Sequence, residues 1–210
     1  MNPVAPSAFA PTPRAAGAGP QLVQCHRENL TEVRRELSAG LNAAHAHTSP
    51  KFLYDALGSL LFEAITKLPE YYPTRTEADI LSANARAIAQ AIGAVDTLVD
   101  LGAGNCAKAL HLIPSLQPQR YVGVDISVDF LEKGLAEVQH QHPQMGVTGL
   151  GLDFSSALSM PADMVQGRPV FFYPGSSIGN FTPEQAAVFL ASVQGQAREG
   201  GLLIGVDLIK

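Results

Sequence analysis

Cysteine is scarce in this chain: its 210 residues include two, Cys25 and Cys106. They stand far apart without metal-ligand spacing, which argues against a disulfide scaffold and a structural zinc and fits a reducing cytoplasm. No run approaches the roughly eighteen consecutive apolar residues of a membrane span. The amino terminus has neither the basic n-region nor the apolar h-region of a secretion signal, so export is not expected. The 14 Lys and Arg are scattered and the net charge is -5, so the basic stripe that nucleic-acid binding needs is missing too. No internal repeat of fixed period occurs. What is present, 46% hydrophobic and 16% charged residues at a mean hydropathy of +0.10, describes a soluble globular chain long enough to bury a large core. The expectation is a cytoplasmic protein with a small-molecule partner, and no nucleic acid or membrane.

Residues 1–20 carry Pro3, Pro6, Pro11, Pro13 and Pro20 among alanines, a composition with little to bury, and read as a disordered leader. Leu30, Val33, Leu37 and Leu41 recur at helical spacing and predict an amphipathic helix whose role is packing. A short apolar segment over residues 52–65 leads into Leu68-Pro69-Glu70-Tyr71-Tyr72-Pro73-Thr74-Arg75-Thr76-Glu77. There Thr74 and Glu77 read as a capping box for a helix that buries Leu81, Ala85, Ile88 and Ile92 and stops at Gly93. Beyond Gly93, β-branched runs alternate with helical stretches, the pattern of a parallel sheet with crossover helices. Five strands are predicted, over residues 97–101, 121–125, 147–153, 170–173 and 202–208, with helices starting near Cys106, Ser127 and Pro183. Thr182 and Gln185 form a second capping box around Pro183.

The first of these strands runs into Asp100-Leu101-Gly102-Ala103-Gly104-Asn105-Cys106, where Gly102 and Gly104 let the backbone turn tightly beside a ligand. A dinucleotide fingerprint wants a third glycine at position 107, which is Ala107, so the motif is ambiguous. Asp125, ending the second strand, can accept both hydroxyls of an adenosine ribose. Asp153 can accept an adenine amino group, and Phe154 offers its ring a flat apolar surface. The alternative for Asp125 and Asp153 is helix capping. Asp100 suits a ligand carrying positive charge better than pyrophosphate, which favours S-adenosylmethionine over NAD. After the fourth strand, Asn180 has an amide able to grip an amino acid's ammonium or carboxylate, or serves as an ordinary turn residue. Cys106 reads as a small residue in a tight turn rather than a reactive thiol. The His45/His47 and His140/His142 pairs lack further ligands at metal spacing, so no metal is expected.

These residues resemble the S-adenosylmethionine-dependent histidine N-alpha-methyltransferases of ergothioneine biosynthesis. The resemblance rests on residues 51–59 (Lys-Phe-Leu-Tyr-Asp-Ala-Leu-Gly-Ser), the 68–77 string, residues 99–108 and 124–127, Asp153-Phe154, and residues 175–181 and 205–210. It implies a Rossmann-like class I methyltransferase α/β fold over residues 94–210 and a helical segment, residues 21–93, contributing to a substrate domain. It also implies that Gly102, Gly104, Lys108, Asp125, Asp153 and Phe154 contact the methyl donor, and that Tyr71, Asn180 and Tyr54 line the histidine site, with no residue acting as acid or base. The implied reaction is repeated methylation of the α-amine of L-histidine to the trimethylated betaine, hercynine. The family sheet has seven strands, of which about five are expected here. The chain is therefore expected to be truncated at its carboxyl end, with the fifth strand an apolar edge and further histidine contacts lying beyond it. A monomer is expected of the complete protein. Two other readings stay open: a truncated S-adenosylmethionine-binding module without catalysis, and an NAD-dependent oxidoreductase.

Overall fold

The computed structural model describes residues 19–26, 29–154 and 158–207; the expected leader falls outside them up to residue 18. Six strands, β1 (Gln21–Gln24), β2 (Thr97–Leu101), β3 (Arg120–Asp125), β4 (Gly146–Gly151), β5 (Pro169–Tyr173) and β6 (Gly201–Ile204), form one sheet. All neighbours are parallel, in the order β1-β4-β3-β2-β5-β6. From β2 onward this is the 3-2-1-4-5 order of a Rossmann-like sheet, with its topological switch point between β2 and β5. Both of those strands are buried at every position, as a parallel sheet covered on two faces requires.

Side-chain alternation divides the core between the two faces. Leu98, Tyr121, Val147 and Phe172 point to one face. There they pack with Leu81 and Ala85 of α3 (Pro73–Ile92), the short α4 (Ala107–Leu110) and α5 (Ile113–Leu116), and Leu131, Leu135 and Val138 of α6 (Val128–Gln141). Val99, Val122, Leu150 and Phe171 point to the other face, under Phe189, Val193 and Ala197 of α7 (Pro183–Ala197). The predicted capping box opens α7: Thr182 Oγ1 accepts from Gln185 N at 3.3 Å and Gln185 Oε1 from Thr182 N at 2.9 Å. At its carboxyl end α3 stops at Gly93, whose φ of 76° leaves the helical region.

Several expectations need correction. β1 was not predicted: with two apolar residues in four and one half-exposed face, Gln21–Gln24 carries no strand signal of its own, and its pairing with β4 is what makes it a strand. β4 ends at Gly151, because Leu152 N makes the last rung to Asp125 O and Asp153 and Phe154 then leave the ladder. β6 ends at Ile204, after which Gly205 O and Asp207 N bond to Ser176 in the turn that follows β5. Thr74 and Glu77 form no capping box: α3 begins at Pro73, the residue at its cap position is Tyr72, and Glu77 turns elsewhere. The amphipathic helix α1 (Leu30–Leu41) is present, capped by Asn29, but it buries only Gly40 and leaves Leu30 and Leu41 exposed. In α2 (Ala56–Thr66), likewise, Leu57, Leu60 and Leu61 are exposed.

Candidate functional site

The carboxyl ends of β2, β3, β4 and β5 open into a cleft of about 1650 Å³ that the segment from Lys51 to Glu77 lines from the opposite side. A site for one small ligand is typically about 300–1,000 Å³, so this cleft has room for two. All nine residues expected at the donor and acceptor sites line it: Gly102, Gly104, Lys108, Asp125, Asp153 and Phe154, together with Tyr54, Tyr71 and Asn180.

The turn after β2 is folded by its own amides. Gly102 and Gly104 have φ of 70° and 53°, the left-handed region that glycine enters without strain. Gly102 N and Ala103 N both donate to Val124 O, at 2.8 and 3.0 Å. Gly104 N donates to Asp125 Oδ2 at 2.9 Å, and Ser127 N to Oδ1 of the same carboxylate at 2.9 Å. Asp125 thus fixes the turn and ties down Ser127, the residue that precedes α6, while its carboxylate still faces the cleft. Burial pushes its pKa up, against the pull of the Ser127, Gly104 and Ile126 amides. Gly102 lies directly under Phe154, whose Cζ sits 4.0 Å from where a Cβ would be. Tyr173 meets the Phe154 ring edge-on at 6.1 Å, and Phe189 lies 6.0 Å from it. Asp153 Oδ2 accepts from Lys51 Nζ at 3.3 Å, and the same ammonium reaches Glu36 at 2.9 Å. Burial lowers the Lys51 pKa, but the two carboxylates outweigh it and the net shift is upward.

Beneath the turn, Asp100 is buried to 1% exposure, and Tyr121 OH donates to its Oδ2 at 2.8 Å. Its Oδ1 has no hydrogen-bond partner among the described residues. Burial pushes this carboxyl up to about 7, opposed by the Tyr121 hydroxyl and the Lys108 charge and reinforced by Asp125 and Glu77. A buried acceptor left over at the floor of a ligand cleft is where a positively charged group fits. Lys108 Nζ pairs with Glu77 Oε2 at 2.6 Å.

On the acceptor side, Phe62 lies between Tyr54 and Tyr71, with edge-to-face centroid distances of 6.1 and 5.8 Å. Burial and the neighbouring Tyr71 and Asp125 raise the Tyr54 pKa. Tyr72, next to Tyr71 in the string, is exposed. The 68–77 string earns its residues through Arg75, whose guanidinium donates to Leu68 O at 2.8 Å, Tyr71 O at 3.3 Å and Pro69 O at 2.6 Å, fixing the loop that bears Tyr71. Asn180 ends a 3-10 turn, Ser177–Asn180, at the mouth of the cleft, and the cap of α7 is Thr182 instead.

Sequence reading missed the roles of Lys51, Glu77, Arg75 and Tyr121, polar residues with no period whose partners only the fold identifies. Cys106 is fully buried with φ of 59°, and burial pushes its thiol up to about 12, as a turn residue without nucleophilic use. His47 Nδ1 lies 2.9 Å from His45 O. No cluster of three metal-ligating side chains occurs, and no helix is long and apolar enough to cross a membrane, among the described residues.

Comparison with known proteins agrees with this arrangement. The chain is 39% identical over 183 residues to a histidine N-alpha-methyltransferase of Mycolicibacterium smegmatis, covering 85% of this chain and 56% of that protein. It is 39% identical over 184 residues to the histidine N-alpha-methyltransferase of Mycobacterium tuberculosis, with the same coverage. Ergothioneine biosynthesis protein 1 of Neurospora crassa is 35% identical over 164 residues, 74% of this chain and 18% of that protein. The chain thus spans little more than half the length of the bacterial relatives. The profile of the family described as histidine-specific methyltransferase, SAM-dependent, matches residues 33–210, and the chain belongs to that family.

Proposed function

We propose that this chain carries the donor site and part of the acceptor site of an enzyme that methylates the α-amine of L-histidine, ending at the trimethylated betaine hercynine. The observation that carries this reading is the single cleft on which the ends of four strands and the Tyr54–Tyr71 segment converge. Its residues fit S-adenosylmethionine. Asp125 suits the ribose hydroxyls, Asp153 and Phe154 the adenine, Lys108 the methionine carboxylate, and the unpartnered Asp100 Oδ1 a positive group nearby. When bound, S-adenosylmethionine supplies a methyl group activated by its sulfonium.

The chain itself must present a neutral, aligned amine, because a nitrogen whose lone pair holds a proton cannot attack. An α-amino group has a pKa of about 8 and is mostly protonated near pH 7. Tyr71 and Asn180 offer a hydroxyl and an amide to hold it, and Phe62 and Tyr54 give it aromatic walls beside Tyr71. Placement then supplies the rate, with no side chain needed as a strong base, and each transfer releases one proton to solvent.

The test is transfer of labelled methyl from S-adenosylmethionine, assayed on this chain and on a polypeptide extended to the length of the bacterial relatives. Label in histidine but not in histamine is expected. Equal labelling of histamine, or none of histidine by the longer polypeptide, overturns the reading.

A further inference from the structure

Glu77 stands where four elements of the cleft meet. It belongs to the second turn of α3, the helix that follows the Tyr71 loop. Its Oε2 takes Lys108 Nζ of α4 at 2.6 Å, and its Oε1 takes Gly175 N, in the turn after β5, at 2.7 Å. A Cβ at Gly205, just after β6, would overlap Oε1, so that backbone also runs against the carboxylate. The side chain is 18% exposed and Lys108 is 30% exposed. That is too dry for the pair to be an ordinary surface ion pair, and a carboxylate so placed is costly unless both its oxygens are engaged.

We propose that Glu77 is a positioning residue that holds Lys108 and the 175–180 turn in fixed relation to α3, so that one carboxylate aligns the donor end of the cleft with the acceptor end. The proposal rests on the reading of Lys108 as a donor-binding residue. Its physical logic lies in what Lys108 does without Glu77. The ammonium already feels the charge of Asp100. Freed from Glu77, it swings toward the floor of the cleft, away from where a donor carboxylate would meet it. The ion pair and the Gly175 bond use different oxygens, so substitutions separate them. Glu77→Gln keeps a carbonyl for Gly175 N–H but loses the charge that holds Lys108, whereas Glu77→Ala loses both.

The experiment is a calorimetric titration of the 210-residue chain and its variants with S-adenosylhomocysteine, with amide hydrogen exchange read over residues 175–180. Loss of one charge-assisted contact predicts about tenfold weaker binding for Glu77→Gln, with exchange at 175–180 close to that of the unaltered chain. Glu77→Ala weakens binding at least as much and also speeds exchange, and Glu77→Asp, which keeps the charge at shorter reach, recovers part of the affinity. A general loss of structure would instead raise exchange in Glu77→Gln as well, and that result overturns the proposal. Unchanged or tighter binding by a folded Glu77→Gln overturns it alone. No binding by the unaltered chain overturns the donor reading and this proposal with it.

Discussion

Replacing Tyr121 by phenylalanine removes one hydroxyl from the core and, if the account of Asp100 is right, moves the pH dependence of donor binding. Tyr121 OH donates to Asp100 Oδ2 and is the largest influence holding its carboxyl down, against burial and the Asp125 and Glu77 charges that push it up to about 7. A hydrogen bond to a charged group contributes about 1.5–3 kcal/mol. Its loss therefore tightens proton binding by Asp100 at least about tenfold. A group that titrates near 7 is about three-quarters ionised at pH 7.5, and after a tenfold shift about one-quarter. Because a cationic donor favours the ionised form, its affinity at pH 7.5 should fall about threefold in Tyr121→Phe, and the gap should close as pH rises. Stability follows the opposite sign. A carboxyl raised from its ordinary 3.8 to about 7 stabilises the fold fully below 3.8, and that contribution is lost as pH rises through about 7. Calorimetric titration with S-adenosylmethionine from pH 6.5 to 8.5 reads the effect directly. Coincident pH profiles for the two proteins, with Tyr121→Phe folded, would refute the assignment of Asp100 as the titrating floor of the site.

Phe154→Ala should weaken donor binding by about 1–3 kcal/mol, the range measured for base–aromatic stacking, and equilibrium dialysis on the folded variant checks it; equal loss in Phe154→Leu would show that packing, not a flat face, matters. Arg75→Ala frees Leu68 O, Pro69 O and Tyr71 O, so amide exchange over residues 68–72 should rise while the sheet keeps its protection. Thr182→Ala breaks the capping box of α7 and should lower unfolding free energy in urea by about 1 kcal/mol. A thiol reagent at pH 8 should modify the exposed Cys25 and leave Cys106 untouched until the chain is denatured, as intact mass will count.

Much of the sheet could be read from the residues because its central strands are continuous apolar runs and its turns carry glycine at positions that need left-handed backbone. The gathering of Gly102, Gly104, Asp125, Asp153 and Phe154 in one cleft was legible for the same reason: all sit at or just past strand ends, where the topology brings them to one edge. β1 was not, since Leu22 and Val23 between two glutamines become a strand only by adding to β4. Glu77 was misread because a Thr-x-x-Glu spacing fits a cap equally well, and only the fold places it beside Lys108 and Gly175. Arg75 shows the limit most plainly. Its three carbonyl partners lie within seven residues of it, yet no periodicity announces that an arginine will turn back on its own loop.

The amides of the glycine turn decide between the two adenosine ligands that the residues alone left open. A dinucleotide site needs backbone N–H groups pointing at a pyrophosphate from the start of a helix. Here Gly102 N and Ala103 N are held by Val124 O and Gly104 N by Asp125 Oδ2, while Ala107 N, the first of α4, bonds to Asn105 Oδ1. The helix that follows is four residues long and is entered through Cys106 in a left-handed conformation, so it aims little positive field at the cleft. Asp100 adds negative charge at the floor beneath the turn, close to where a pyrophosphate would lie. NAD should therefore compete poorly: at a concentration that S-adenosylhomocysteine needs for half-saturation, NAD should displace almost none of it in a dialysis competition. Displacement at comparable concentrations would mean that the turn re-forms to free its amides, and the charge argument for the donor would fall.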